Sequence, residues 1–152
     1  MQLRLTAIVL VALMAGPSAA AQDFARIARS NVARLSDTRS DQVRRAFLAL
    51  QAGDSSGVVR LLDPSVQWQA TRMREFADAS ALDYPGAIRF LDRMAAAIRT
   101  GSLKARLVSI QAQSDDVILI RSVFTRLDHD QMCGNIVRFR EGRIVSVTDL
   151  PR

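Results

Sequence analysis

The chain has 152 residues, a formal net charge of +6 and one cysteine, Cys133, which excludes a fold held by intrachain disulfides. Its basic residues are scattered among fifteen acidic ones and few aromatics, whereas a nucleic-acid surface clusters its charge and adds stacking rings. A single histidine leaves a conventional zinc site without its usual ligands, and no phosphate-binding glycine loop, nucleophile elbow or Cys–His pair is present, so no metal or cofactor is expected.

Residues 1–21 read as a cleavable export signal. Arg4 gives a short positive start, Thr6 to Ala15 form an apolar run too short to span a bilayer, and Gly16 and Pro17 break it. Ala19 and Ala21 are the small residues a signal peptidase accepts, so cleavage is expected after Ala21. The product is expected to be periplasmic or secreted and free of the membrane. Removing 21 of the 152 residues leaves 131, enough for one domain with a real core.

Residues 22–39 carry Phe24, Ile27, Val32 and Leu35 at roughly helical spacing with Arg26, Arg29 and Arg34 between them. The segment is either a short amphipathic helix or a leader, and the domain is expected to span 40–152. Val43, Ala46, Phe47 and Leu50 mark one helix face, with Ser40 or Asp41 as cap and Gly53 as stop. Asp54 opens a second, short helix whose Val58, Leu61 and Leu62 face the core, and Pro64 ends it. Ser65–Gln69 alternates as a strand with Val66 and Trp68 on one side. Residues 70–85 read as irregular or weakly helical, anchored by Met73, Phe76 and Tyr84. Gly86 opens a helix striped by Ile88, Leu91, Met94, Ala95 and Ile98, which Gly101 closes.

After Gly101 the period changes from 3.6 to 2, and residues 103–112, 117–126, 132–140 and 143–150 read as four strands of an antiparallel meander. Helices first and strands last make the class α+β, with the helices on one face of the sheet.

The direction of each strand's side chains depends on turn length, because a slip of one residue exchanges the two faces. A three-residue loop at Arg140, Glu141 and Gly142 pairs Phe139 with Arg143, Val137 with Val145, Asn135 with Val147 and Cys133 with Asp149. A four-residue loop at Leu127–Asp130 then pairs Phe124 with Cys133 and Ser122 with Asn135. On this register Ile118, Ile120, Ser122, Phe124, Cys133, Asn135, Val137, Phe139, Val145, Val147 and Asp149 share the face under the helices. A two-residue turn at Glu141–Gly142 instead sets Asn135 beside Thr148 and sends Asp149 outward. The three-residue loop is preferred.

An inward carboxylate needs a hydrogen bond, a cation or a wet cavity. Asp149 is therefore a candidate acid or base, or else a residue at the sheet's edge paired with an arginine, and Asn135 is a candidate polar contact in a cavity. Trp68, Met73, Phe76, Tyr84 and Met94, with Ile120, Ser122, Phe124, Asn135 and Val147, are the candidate lining of a ligand pocket. His129, in Leu127–Asp130, reads as a solvated turn residue.

The stretches Ala46–Trp68, Tyr84–Met94 and Asn135–Leu150, in that order and spacing, resemble the nuclear transport factor 2-like superfamily and its SnoaL-like branch over roughly residues 40–150. The resemblance implies a cone-shaped, curved antiparallel sheet packed against N-terminal and middle helices, a cystatin-like roll with an apolar pocket, and a homodimer formed through the outer sheet face. Family activities include ketosteroid isomerases, polyketide cyclases, dehydratases, epoxide hydrolases and proteins that only bind or scaffold. Isomerase chemistry of the ketosteroid kind is not implied. Aligned with those enzymes, the tyrosine position falls on Ala46, the base near Trp68 and the second oxyanion donor on Asn135. The resulting expectation is an exported binder of a small apolar ligand. Its alternatives are an isomerase, cyclase or hydrolase-type enzyme using Asp149 with Asn135 orienting substrate, or a dimeric interaction module with a vestigial pocket.

Overall fold

Residues 19–150 are described by a computed structural model. The export signal expected over residues 1–21 lies almost wholly outside them. Helix α1 runs from Ala19 to Gln51, so the helix expected to start at Ser40 is the C-terminal part of a longer one. No glycine or proline interrupts residues 19–51, and a serine or aspartate inside a helix costs only tenths of a kcal/mol, roughly 0.5. Ile27, one of the four apolar positions of the 22–39 segment, is exposed. Gly53 ends the helix at φ 82°, where the Gly53 amide donates to Leu50 O and the Asp54 amide to Ala49 O.

A one-turn helix α2 (Ser56–Val59) leads into β1 (Leu62–Gln69). Pro64 therefore lies in a strand and does not end a helix. Its missing N–H falls where the ladder is irregular, between Leu62 and Gln67. A 3-10 turn (Arg74–Phe76) and a two-residue strand β2 (Ala81–Leu82) follow. Helix α3 (Tyr84–Arg99) starts two residues before Gly86, because the Asp83 side chain caps it by accepting from the Gly86 amide at 3.0 Å and Pro85 sits in its first turn. Strands β3 (Lys104–Ser114), β4 (Val117–Arg126), β5 (His129–Arg140) and β6 (Arg143–Asp149) complete the chain's meander.

The six strands form one sheet in the order β2-β1-β6-β5-β4-β3. The sheet is curved and unclosed, and one pairing departs from the all-antiparallel expectation: β1 lies parallel to β6. The chain between those two strands includes α3 and strands β3 to β5, long enough for β1 to join the exposed edge of β6 in either direction. Helices α1 and α3 cover one face. Val43, Phe47 and Leu50 from α1 and Phe90, Leu91, Met94 and Ala95 from α3 are buried against Ile118, Val137, Phe139 and Val147 of the sheet.

Both hairpin turns are shorter than expected. Leu127 and Asp128 have φ of 48° and 64°, and Glu141 and Gly142 have φ of 52° and 79°, which is the positive-φ pair that a two-residue turn of type I′ requires. At the first turn the shortening moves the register by two residues, so Ser122 pairs with Cys133 and Ile120 with Asn135, and every side chain keeps its face. At the second turn the shortening is by one residue, which on its own would turn Asp149 outward. A bulge cancels it. Phe139 pairs with Ile144 but Arg138 pairs with Ser146, leaving Val145 as the extra residue. Ile144, not Val145, is thus the buried residue next to the turn, and Asn135 pairs with Asp149, not with Val147.

Candidate functional site

Between the helices and the concave face of the sheet lies a cavity of about 100 Å³. Its walls are mostly apolar. Val43, Ala46, Phe47 and Leu50 come from α1, Phe90, Leu91 and Met94 from α3, and Ile120, Phe124, Val137, Ile144 and Val147 from the sheet. Two ring pairs brace it: Trp68 meets Phe90 with centroids 5.7 Å apart, and Phe47 meets Phe124 at 6.4 Å, both tilted.

Of the residues singled out from sequence, Trp68, Met73, Met94, Ile120, Ser122, Phe124, Asn135, Val147 and Asp149 border this cavity. Phe76 and Tyr84 do not. Phe76 lies in the 3-10 turn and Tyr84 in the first turn of α3, and each packs against the outside of the core. His129 opens β5 next to the Leu127–Asp128 turn and is exposed.

The polar groups gather at one end. Asn135 and Asp149 face each other across β5 and β6, and Asn135 Nδ2 donates to Asp149 Oδ1 at 2.7 Å. The other carboxylate oxygen, Oδ2, accepts from the Thr71 amide at 2.9 Å and from the Thr71 hydroxyl. Arg72, the next residue, donates from Nη1 to Met132 O at 3.0 Å and from Nη2 to Leu150 O at 2.8 Å, and Gln131 Nε2 donates back to Arg72 O. Residues 70–73 thereby cross the end of the sheet as a strap tied to β5 and to the end of β6. The far side of the same segment is tied to α3, where Arg89 and Arg93 both donate to Asp78. Those two bonds hold the exposed Asp78 carboxyl below its ordinary range.

Thr71, Arg72 and Gln69 were not legible as site residues. Arg72 and Arg74 flank Met73 symmetrically in sequence, and only the fold turns one toward the cavity and the other to solvent. The α1 residues of the lining were visible as a core stripe, but a stripe carries no mark of where packing stops.

Burial pushes the Cys133 thiol up to about 11, an effect that nearby Arg72 opposes and Asp149 and Glu75 reinforce. The thiol is therefore protonated at neutral pH and a poor nucleophile. In the unfolded chain it ionises near 9.0, so between pH 9 and about 11 the unfolded state binds fewer protons and stability falls with pH, while below pH 9 this group contributes no slope. Urea unfolding from pH 7 to 10.5 is expected to show a steeper alkaline loss for the wild type than for Cys133→Ala. Equal slopes would remove burial as the fate of this thiol.

No protein-family model matches the sequence, and no curated protein matches it. Solved structures do. Wild-type IdmH from Streptomyces antibioticus, a proposed polyketide cyclase, is 19% identical over 74% of this chain and 90% of its own, with a TM-score of 0.56. An NTF2-like protein of unknown function from Burkholderia pseudomallei is 18% identical over 75% and 90%, with a TM-score of 0.58. TerC, co-crystallised with polyporic acid, is 14% identical over 75% and 91%, also with a TM-score of 0.58. The fold is the α+β cone shared with these NTF2-like and cystatin-fold structures.

Proposed function

We propose that the protein is an exported binder of a small, largely apolar molecule, which enters this cavity with its polar end toward Asn135. The observation that carries the reading is the hydrogen-bonded pair Asn135 and Asp149, held from behind by Thr71, in a mostly apolar cavity whose other polar lining is Gln69, Arg72 and Ser122. Such a wall suits a ligand with an apolar body and few polar atoms. The volume, about 100 Å³, is of the order of a cavity that holds one aromatic ring, so a larger ligand projects into the mouth. TerC, of the same fold, was co-crystallised with polyporic acid, which supports a small-molecule reading without fixing the molecule.

A second reading draws on the same carboxylate: acid–base catalysis of isomerase, cyclase or hydrolase type, with Asp149 carrying the proton and Asn135 orienting the substrate. The cyclase proposed for IdmH is in keeping with it. Binding is preferred because Asp149 already accepts three hydrogen bonds, and an ionised carboxylate has about four acceptor positions. Self-association through the outer sheet face belongs to the same proposal; there Leu119 pairs with Ile136, and Ile136 with Thr148.

Native mass spectrometry of protein purified from its own host reads both parts. The expected result is a dimer carrying a noncovalent adduct that denaturation releases. A ligand-free spectrum, with no small molecule shifting the thermal midpoint, overturns the binding reading, and a monomer overturns the self-association.

A further inference from the structure

The polar end of the cavity has a direction. As a carboxylate, Asp149 only accepts hydrogen bonds, so the atom of Asn135 that meets it is the amide nitrogen. Thr71, with two donors on the other carboxylate oxygen, keeps that group from rotating. The Asn135 amide is thereby held in one of its two orientations, with Oδ1 turned away from Asp149.

Among the described residues, Oδ1 meets no donor, and the only side-chain atom sealed from solvent without a partner is Asp115 Oδ1, in the turn between β3 and β4. The Asn135 acceptor is therefore not sealed, and Asn135 lines the cavity. The polar atoms of Asn135 and Asp149 left without a partner are Asn135 Oδ1, about one acceptor position on Asp149 and the second N–H of Asn135, and the Ser122 hydroxyl, which can donate or accept, lines the same cavity. Arg72 has two guanidinium nitrogens committed to the main-chain carbonyls of Met132 and Leu150.

The partner that satisfies this set is a group that both donates and accepts and carries no charge. An ether oxygen or a carboxylate only accepts, so it can take the free Asn135 N–H but leaves Asn135 Oδ1 and the remaining Asp149 acceptor facing lone pairs. An ammonium only donates, leaves the Asn135 N–H unmet and brings a charge into an apolar cavity. A neutral hydroxyl fits, and a site built around a ligand hydroxyl discriminates strongly against analogues that lack it.

Resting on the binding reading above, we propose that the ligand presents a neutral hydroxyl, a phenol, enol or alcohol, to Asn135 Oδ1. Thr71 is the positioning residue that sets this selectivity by holding Asp149, and through it the orientation of the Asn135 amide. Thr71 itself touches only the carboxylate.

Three probes of one shape separate the alternatives: 4-propylphenol, its methyl ether 4-propylanisole, and 4-propylbenzoate, each titrated into the purified protein at pH 7 and followed by NMR. The phenol is expected to bind about tenfold tighter than either of the others, the worth of one well-made hydrogen bond. Thr71→Val is expected to cut the phenol-to-ether ratio to about threefold, because the hydroxyl's bond to Asp149 is lost. Thr71→Ser restores the ratio, and Asn135→Leu abolishes it while the ether still binds.

An ether that binds as tightly as the phenol overturns the proposal, as does a benzoate that binds more tightly, which would make Arg72 the group that selects ligand charge. A ratio that Thr71→Val leaves unchanged overturns the role of Thr71. The wild-type panel decides the hydroxyl preference without any variant. If none of the three probes binds, the binding reading itself fails; if all three bind equally, only the selectivity fails.

Discussion

Ile118→Ala is expected to destabilise the protein by about 3–4 kcal/mol, the cost of deleting a fully buried aliphatic side chain from a site that cannot collapse. Ile118 pairs with Val137 on β5 and with Ala112 on β3, so the backbone on both sides is fixed by ladder hydrogen bonds and the vacated space stays. Against a typical total of about 5–15 kcal/mol this is a large fraction, and it lowers the thermal midpoint by roughly 10 °C. Ile120, two residues along the same strand face, gives the contrast. It is half-buried and borders the cavity, so Ile120→Ala enlarges a space that already exists and costs about 1–2 kcal/mol. Urea unfolding of the two variants measures the difference. Equal losses mean that the cavity is closed in solution.

Ser122→Phe is expected to abolish ligand binding while changing stability by less than about 2 kcal/mol. Ser122 is 1% exposed, lies on the cavity wall and pairs with Cys133, with Ile120 and Phe124 on either side of it along the same face. In a filled core a phenyl ring at such a position forces the strands apart. Here it projects into the space that the ligand needs. Binding of 4-propylphenol, or of whatever molecule accompanies the purified protein, is the readout, alongside the thermal midpoint. Retained binding places the ligand elsewhere, and a collapse of stability shows that no space was there to fill.

The elements that could be read from sequence were those whose signal is local. The alternation after Gly101, the stripe of α3 and the paired apolar positions Val66 and Trp68 each report a nearby burial, and burial is what the fold delivers. The boundaries failed where a sequence signal was ambiguous: Ser40 and Asp41 look like a cap but are overrun by a helix with no breaker, and Pro64 is tolerated in an irregular ladder. The hairpin from Asn135 to Asp149 is the instructive case. Its turn has the length that was set aside, yet Asp149 lies on the cavity side because Val145 bulges, and nothing in the side chain of a valine announces a bulge. Phe76 and Tyr84 show the complementary limit, since an aromatic beside a helix start packs on a core as readily from outside as from within. Thr71 and Arg72 owe their place entirely to a crossing of the sheet's end by a segment without a repeating pattern.

The parallel pairing of β1 with β6 also fixes an order of events. Leu62 lies beside Ile144 and Trp68 beside Val147, about eighty positions apart along the chain, while every antiparallel pair in the sheet joins neighbouring segments. Hairpins assemble in microseconds from local encounters, whereas a pairing of such long range waits on loop closure and governs the rate of folding. The β3–β6 meander can therefore form first, with β1 and the strap that follows it seated only once residues 143–149 are in place. On a growing polypeptide, the hollow between helices and sheet is closed only after residues 143–149 have emerged.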